Sequence, residues 1–235
     1  MKKLAIFVEG QTERVFIERL LSEVVGTRHL RIESYVAAGG GSAGARALKL
    51  IQVVDPASDA KFLATIVDCG SDGRVASDIA DRYITLVAAG YSAIVGIRDV
   101  YPDVTSADIP KLRTGLQLGL KQAPIKVLFV LGVMEIESWF LSEFTHFPRL
   151  DSKLTPAVIF HHLGFNPQTD DMQLRPHPAF DLNDAYHIAG RAYDKSRKRI
   201  QKTVDLLDYA HLYLGMNGRL PDLDALNASL DQFLS

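Results

Sequence analysis

The feature that most constrains the fold is a run of five apolar residues, Leu4–Val8, that is followed at once by Glu9. The run is too short for a helix and does not alternate polar with apolar residues, so it predicts a buried strand with both faces covered. Gly10 permits a turn, and apolar residues at helical spacing then predict a helix that starts at Thr12, a favourable N-cap. Glu9 and Glu13 are therefore expected at the edge where open α/β sheets bind ligands.

Four further segments predict strands, and helical patterns separate several of them. The predicted strands are His29–Ala37, Phe62–Asp68, Ser92–Arg98 and Ile125–Val133, with helices over Ala45–Val54 and Ser77–Ala89. Alternating strands and helices are typical of an α/β fold, so we expect a mostly parallel, Rossmann-like sheet flanked by helices. Residues 1–145 are predicted to form this α/β domain. Residues 146–235 are predicted to form a helical C-terminal region, which includes a helix over Asp184–Leu214.

The composition narrows the class of protein. Of the 235 residues, 47% are hydrophobic and 23% are charged, which is typical of a globular domain and not of a disordered chain. The formal net charge of -2 gives no overall positive field, so a nucleic-acid site must be local or bridged by metal. The single cysteine, Cys69, excludes an internal disulfide framework and favours the cytoplasm. No apolar segment approaches the roughly 20 residues of a membrane span, so we expect no membrane partner.

Four of the five predicted strands end in an acid, namely Glu9, Asp68, Asp99 and Glu135. Parallel strands bring their carboxyl ends to one edge of the sheet, so these carboxylates are expected to converge. Crowded carboxylates repel one another unless a cation neutralises them, and ligand sets made only of oxygen favour Mg²⁺ or Mn²⁺. The candidate metal ligands are these four acids together with Glu13, Asp72, Asp103 and Glu137.

Glu135 and Glu137 lie where the last predicted strand gives way to a helix. Two side chains at this spacing do not stay on one face through such a change, so only one of them is expected to be a ligand. The other interpretation of this segment is an amphipathic helix start, with Ile136 and Trp139 buried and both glutamates in solvent.

The segment Val8–Glu13 resembles the first motif of Toprim domains. These are the metal-binding modules of topoisomerases, primases and nucleases of the overcoming-lysogenisation-defect type. The resemblance implies that Glu9 is the first acid of the family and that Glu13 is the second acid of its nuclease branch. It also implies a pair of aspartates that faces the same magnesium ion. The resemblance covers roughly residues 3–145.

The aspartates depart from the family pattern. The family spaces its pair two positions apart, whereas Asp68 and Asp72, like Asp99 and Asp103, are four apart. Asp68 matches the family by strand order. Asp99 resembles an acid of small bacterial Toprim-like proteins, which also have a segment similar to Glu135–Trp139. Both pairs therefore remain candidates for the metal site.

Two basic features are candidates for contact with phosphate. Four cations recur at helical spacing and predict a basic stripe: Lys195, Lys198, Arg199 and Lys202. The stripe is either a solvated face or a contact for a nucleic-acid backbone, and Lys195 is also a candidate to stabilise transition-state charge beside the acids. Arg46 follows a glycine-rich loop, residues 39–44. This loop either binds phosphate through its backbone amides or is a simple connection.

These features predict an Mg²⁺- or Mn²⁺-dependent enzyme that cleaves phosphodiesters, a nuclease acting on DNA or RNA. The predicted catalytic residues are Glu9, Asp68, Asp99 and Lys195. The resemblance implies a bacterial defence or mobile-element system, with an ATPase or another defence component as protein partner. The alternative is a non-catalytic subunit that binds a nucleotide or nucleic acid, and a doubly wound domain of unrelated activity is a third, because fold does not determine function.

Overall fold

The computed structural model describes residues 1–25, 29–39, 46–54, 60–100, 104–118 and 124–235, without the side chains of Asp72 and Ser106. Within these residues the chain forms six strands: β1 (Lys2–Val8), β2 (Leu30–Ala38), β3 (Ala47–Val54), β4 (Phe62–Asp68), β5 (Ala93–Asp99) and β6 (Val127–Gly132). They form one sheet in the order β3-β2-β4-β1-β5-β6. Strands β2, β4, β1 and β5 are parallel, and β3 pairs antiparallel with β2 at one edge.

Helices surround the sheet and fill the C-terminal part of the chain. The first three are α1 (Gln11–Val25), α2 (Val75–Ala88) and α3 (Ile109–Gln117). The others are α4 (Glu137–Ser142), α5 (His146–Leu150), α6 (Pro156–Leu163), α7 (Pro178–Ile188), α8 (Arg197–Leu206) and α9 (Pro221–Leu234). The α/β class, the mostly parallel sheet and the helical C-terminal region are therefore confirmed. In the described part of the chain, none of the helices combines the length and apolarity needed to cross a membrane.

The first strand occupies the position that its sequence predicts. Residues Leu4–Val8 are completely buried, and β1 lies between β4 and β5 in the middle of the sheet. Its last residue, Val8, pairs with Asp68 at the end of β4. A run of five apolar residues requires cover on both faces, and only a central strand provides it.

The predicted helix over Ala45–Val54 is wrong, because this segment is the edge strand β3. It pairs with β2 from Ile32 opposite Val54 to Ala38 opposite Ala47. Its apolar residues fit either period, and the hydrogen bonds offered by β2 decide in favour of the strand. The glycine-rich residues 40–44 lie outside the described residues.

The predicted helix over Asp184–Leu214 is also wrong. Helix α7 ends at Ile188, helix α8 begins at Arg197, and a short π-helical turn follows over His211–Gly215. Gly190 has a φ of 64°, which a helix interior does not permit. The break places residues 189–196 in a connecting segment, so Lys195 precedes α8 instead of lying on it.

The chain separates into two compact units. The sheet unit comprises Met1–Arg98, Ala107–Leu131 and Ala225–Ser235, and the helical unit comprises Asp99–Ser106 and Gly132–Asp224. Each has a core of its own. Phe7 and Phe16 are fully buried in the sheet unit, and Trp139, Phe140 and Phe147 are fully buried in the helical unit.

Candidate functional site

The acids predicted for one edge of the sheet belong to both units. Glu9, Glu13 and Asp68 are in the sheet unit, and Asp99, Glu135 and Glu137 are in the helical unit. Asp103 and the side chain of Asp72 lie outside the described residues. The convergence of the strand-end acids on one metal ion stays a prediction.

In the sheet unit, Glu9 follows β1 directly and Glu13 lies in the first turn of α1. Glu9 is half-buried, whereas Glu13 is 4% exposed. Glu13 Oε2 accepts a hydrogen bond from Gly10 N at 3.0 Å. Because α1 begins at Gln11, Gly10 is the N-cap, and Glu13 closes half of a capping box. The expected N-cap, Thr12, is instead a buried residue within the helix.

Asp68 has one partner in the backbone and one charged side-chain partner. Its Oδ1 accepts from Gly70 N at 3.0 Å, and its Oδ2 lies 3.6 Å from Arg14 Nε. The same guanidinium donates to Glu18 Oε1 at 2.9 Å. Burial raises the pKa of Asp68, while the Gly70 amide and the Arg14 charge act to lower it. Arg14, 4% exposed, thus supplies countercharge at this point of the sheet unit. The sequence did not single out Arg14, although an arginine within the apolar pattern of α1 is a signal that could have identified it.

In the helical unit, one lysine lies between two of the predicted acids. Lys195 Nζ lies 2.9 Å from Glu135 Oε1 and 3.7 Å from Glu137 Oε2. Asp99 adds its negative charge to the surroundings of the same amine. We call Asp99, Glu135, Glu137 and Lys195 the acid–lysine cluster. The side chain of Glu137 is completely buried, that of Glu135 is 14% exposed, and that of Lys195 is 49% exposed.

A sharp turn before α4 brings both glutamates to the same amine. Met134 has a φ of 64°, a left-handed conformation that costs a side chain energy and often marks a functional site. Glu135 precedes the helix and Glu137 is its first residue. The turn re-aims Glu135 in a way that neither a regular strand nor a helix would, so both glutamates approach Lys195. That at most one of them is a metal ligand stays a prediction.

Backbone and side-chain donors orient the acids of the cluster. Glu135 Oε2 accepts from Ala179 N in the first turn of α7 at 3.1 Å, and Glu137 Oε1 accepts from the hydroxyl of buried Tyr193 at 2.7 Å. Glu137 Oε2 is buried and has no hydrogen-bond partner among the described residues. Tyr193, which the sequence did not single out, is itself held by a hydrogen bond from its amide to Asn183 Oδ1 at 3.0 Å.

Asp99 is fixed by a close approach of the backbone. Its Oδ1 accepts from Ile136 N at 2.9 Å, and the residue is 3% exposed. A Cβ on Gly132 would lie 2.4 Å from this oxygen, so only glycine leaves room for the carboxylate.

Charge and burial shift the pKa values of the cluster in a consistent direction. Burial raises the pKa of Glu137, and Lys195 and the Tyr193 hydroxyl only partly offset it. Burial acts to lower the pKa of Lys195, but the charges of Glu137, Glu135 and Asp99 outweigh it and raise the pKa above the ordinary value. Lys195 is therefore an ammonium ion throughout the neutral range.

The basic residues that the sequence predicts to contact phosphate divide into three groups. Lys195 belongs to the acid–lysine cluster, whereas Lys198, Arg199 and Lys202 lie on α8. Arg46 is tied within the sheet unit by a salt bridge of 3.1 Å to Asp78 Oδ2 and by hydrogen bonds to backbone carbonyls. Its predicted contact with phosphate stays a prediction.

A cleft of about 670 Å³ opens beside α8. We call it the basic cleft, and its basic lining residues are His187, Arg191, Lys198, Arg199 and Lys202. The sequence did not point to His187 or Arg191, because they belong to the end of α7 and the segment after it. Their place beside the stripe follows from the packing of that segment against α8.

A larger groove of about 800 Å³ lies in the sheet unit. Residues of β6 and α9 line it, including Val127, Leu128 and Phe233. Among the described residues of its lining, the charged ones are Lys2 and Lys126, and there is no acid, histidine or cysteine. This described lining therefore offers no groups for acid–base or metal chemistry.

The acid–lysine cluster has the donor chemistry that Mg²⁺ and Mn²⁺ prefer, because its acids offer only oxygen atoms. Among the residues that the structure describes, no three acidic, histidine or cysteine side chains lie close enough together to hold a metal ion. The Lys195 ammonium provides the positive charge between Glu135 and Glu137. Comparison with protein-family models, with curated proteins and with solved structures finds no match for this chain.

Proposed function

We propose that the protein is a metal-dependent phosphodiesterase, a nuclease acting on DNA or RNA, with its active site at the acid–lysine cluster. The observation that supports this is a lysine with a half-exposed side chain, Lys195, whose ammonium lies beside Glu135 and the fully buried Glu137. A cation that acids hold in place on a partly exposed side chain is suited to bind a phosphate oxygen, which carries negative charge.

Lys195 acts as an electrostatic stabiliser. Its raised pKa keeps the amine protonated, so it is neither the general base nor the nucleophile. Phosphoryl transfer develops charge on the oxygens of the transferred group, and a preorganised cation there lowers the barrier. The water that attacks phosphorus gives up a proton, and the oxygen that leaves takes one, so a separate carboxylate must move protons.

Glu137 and Tyr193 are positioning residues. Glu137 is inaccessible to substrate, but its carboxylate lies under the lysine amine and is itself fixed by the Tyr193 hydroxyl. The chain Tyr193–Glu137–Lys195 therefore limits where the ammonium can point. A long lysine side chain would otherwise lose its orientation to rotamer freedom.

Glu135 and Asp99 are the residues of this unit that would hold Mg²⁺ or Mn²⁺. A bound divalent ion would supply Lewis acidity and a water of lowered pKa. Glu135 is the more exposed acid and is the candidate to accept the proton of the attacking water. The predicted metal roles of Glu9, Glu13 and Asp68 concern the sheet unit alone and stay predictions. A cytoplasmic location and a defence-system protein partner are part of the proposal.

The second candidate function is a non-catalytic subunit that binds nucleic acid or a nucleotide. The observation in its favour is that Lys195 already neutralises Glu135 and Glu137, while no described set of three ligands surrounds a metal position. In that case the cluster would only orient a cation toward phosphate. Metal-dependent turnover distinguishes the two functions.

The test is cleavage of end-labelled single-stranded and double-stranded DNA and RNA, with Mg²⁺, with Mn²⁺ or with EDTA. We expect cleavage that requires metal and that Lys195→Gln and Asp99→Asn each lower by about 100-fold or more. Lys153→Gln, an exposed lysine of the same unit, is the matched control and should cleave like wild type. Binding without cleavage at any metal would support the second candidate, and cleavage that is unchanged in both variants would overturn the site.

A further inference from the structure

We infer that the basic cleft binds the sugar–phosphate backbone of a nucleic-acid strand, next to the acid–lysine cluster. The choice of nucleic acid as ligand rests on the proposed function. The cleft itself is defined by cations from two parts of the chain, Arg191 after α7 and Lys198 and Lys202 on α8.

Three of the four lysines and arginines that line the cleft have no salt-bridge partner within the described part of the chain. Lys198, Lys202 and Arg191 form no salt bridge there, whereas Arg199 pairs with Asp194 at 3.2 Å. Like charges gathered on one surface repel one another and destabilise the folded state. Three such cations around one cleft are therefore best explained by an anionic ligand that relieves the repulsion when it binds.

The cleft and the acid–lysine cluster share one segment of chain. Tyr193 and Lys195 contact the acids, and the helix that begins at Arg197 lines the cleft. Lys195 and Lys198 are three residues apart, so their Cα atoms are at most about 11 Å apart. A strand in the cleft would therefore place a phosphate within reach of Lys195.

The arrangement suits several phosphates better than one. Lys198 and Lys202 are one turn apart, which corresponds to about 6 Å along α8, and Arg191 lies on another part of the lining. A cleft of about 670 Å³ has room for more than a single phosphate ion. The side chain of Tyr186 is largely buried in the lining, so contact is dominated by charge and not by base stacking.

This inference changes the predicted basic stripe in two ways. Lys195 leaves it, because its ammonium is already engaged by Glu135 and Glu137. Arg191 joins it. Cleft cations are expected to govern affinity and salt dependence, whereas Lys195 is expected to govern the rate of cleavage.

The experiment measures binding of a fluorescein-labelled single-stranded DNA oligonucleotide by anisotropy, in EDTA, across a range of salt concentrations. The test variant is Lys198→Gln with Lys202→Gln. The control is Arg197→Gln with Lys153→Gln, which removes the same charge from exposed residues of the same unit that do not line the cleft. Glutamine is compatible with a helix, and thermal unfolding verifies that each variant folds.

We expect the test variant to bind about tenfold more weakly, and its plot of log affinity against log salt to be shallower by about 1.4, or 0.7 for each lost contact to a single strand. The control should match wild type. Equal weakening in both variants, no change in the test variant, or no binding by wild type would each contradict the inference that the cleft binds a nucleic-acid strand. Competition by inorganic phosphate at concentrations similar to those of the oligonucleotide would also contradict it, since this would indicate a site for one phosphate.

Binding in EDTA separates this inference from the proposed function. Binding that depends on Lys198 and Lys202 without metal-dependent cleavage would support the nucleic-acid site in the cleft and contradict the proposed nuclease activity. Metal-dependent cleavage with binding that does not depend on Lys198 and Lys202 would support the activity and contradict the site in the cleft.

Discussion

The two units neutralise their buried acids with different cations. In the sheet unit, the guanidinium of Arg14 contacts Asp68 and Glu18, and its side chain is 5% exposed. In the helical unit, the ammonium of Lys195 contacts Glu135 and Glu137, and its side chain is 49% exposed. The side chain of the first cation is enclosed by the fold, whereas about half of the second side chain is exposed.

The difference indicates different roles. Arginine offers a planar fork of donors that suits a fixed, buried arrangement, whereas lysine is a compact charge on a flexible stem. Arg14 is therefore expected to matter for stability. Lys195, whose side chain is about half exposed, is expected to matter for chemistry. Variants of the two cations test this comparison directly.

The largest expected effect is on the stability of the sheet unit. Arg14→Met leaves Asp68 and Glu18 without their buried countercharge and should lower the free energy of unfolding by about 3–5 kcal/mol. Urea denaturation measures it. Arg19→Met is the matched control, because Arg19 forms a similar pair with Glu23 on the same helix with 43% of its side chain exposed, and should cost below about 0.5 kcal/mol. Similar losses in both variants would show that burial does not distinguish the pairs.

The next effect is on the catalysis that we propose for the helical unit. Lys195→Met should lower kcat for metal-dependent cleavage about 100-fold, because it removes a cation that stabilises transition-state charge. Its loss of stability should be smaller than that of Arg14→Met, because Glu137 can take up a proton when the lysine is absent. Steady-state kinetics and urea denaturation of the same preparations measure both. A large loss of stability with unchanged kcat would give Lys195 the structural role expected of Arg14.

A smaller effect is expected where the backbone makes room for Asp99. Gly132→Ala would place a methyl group 2.4 Å from Asp99 Oδ1, so the carboxylate must leave Ile136 N. We expect a loss of about 2 kcal/mol in the free energy of unfolding. Gly115→Ala is the control, since a Cβ on this helical glycine meets nothing within 4 Å, and it should stabilise by up to about 1 kcal/mol. Equal behaviour of the two variants would contradict the close contact at Gly132.

The smallest effect concerns pH. The pKa of Glu137 is raised in the folded protein, so the folded state holds a proton more tightly than the unfolded chain. The contribution of Glu137 to the free energy of unfolding is fully present below its pKa in the unfolded chain, about 4.5. This contribution is lost as the pH rises through the pKa of Glu137 in the folded protein. Glu137→Gln removes this decline, which should not exceed about 1.4 kcal/mol for each pH unit.

Urea denaturation from pH 4.5 upward measures the difference between Glu137→Gln and wild type. Glu23→Gln, an exposed glutamate in the sheet unit, controls for the loss of one negative charge. We expect the Glu137→Gln variant to gain stability relative to wild type as pH rises. A difference that is constant with pH would show that Glu137 is charged and fully compensated by Lys195.

Much of the fold follows from the local sequence. The apolar runs that became β1, β4 and β5 are readable because such runs must be covered on both faces, and Asp68 and Asp99 are the last residues of two of these strands. The errors fall where local patterns are ambiguous. Segment Ala47–Val54 became a strand because β2 offers hydrogen bonds, and the long C-terminal helix broke near Gly190.

The sequence by itself determined which residue types were available for chemistry: strand-end acids, a basic stripe and a lysine that was a candidate to join the acids. Only the tertiary structure decided their partners. Lys195 and Glu135 are 60 positions apart, and Arg191 joins Lys198 through the packing of a connecting segment. Periodicity reports which face of an element is buried, because burial repeats along one element. It does not report which charge neutralises which, because that depends on the distances between elements, and the sequence does not give those distances.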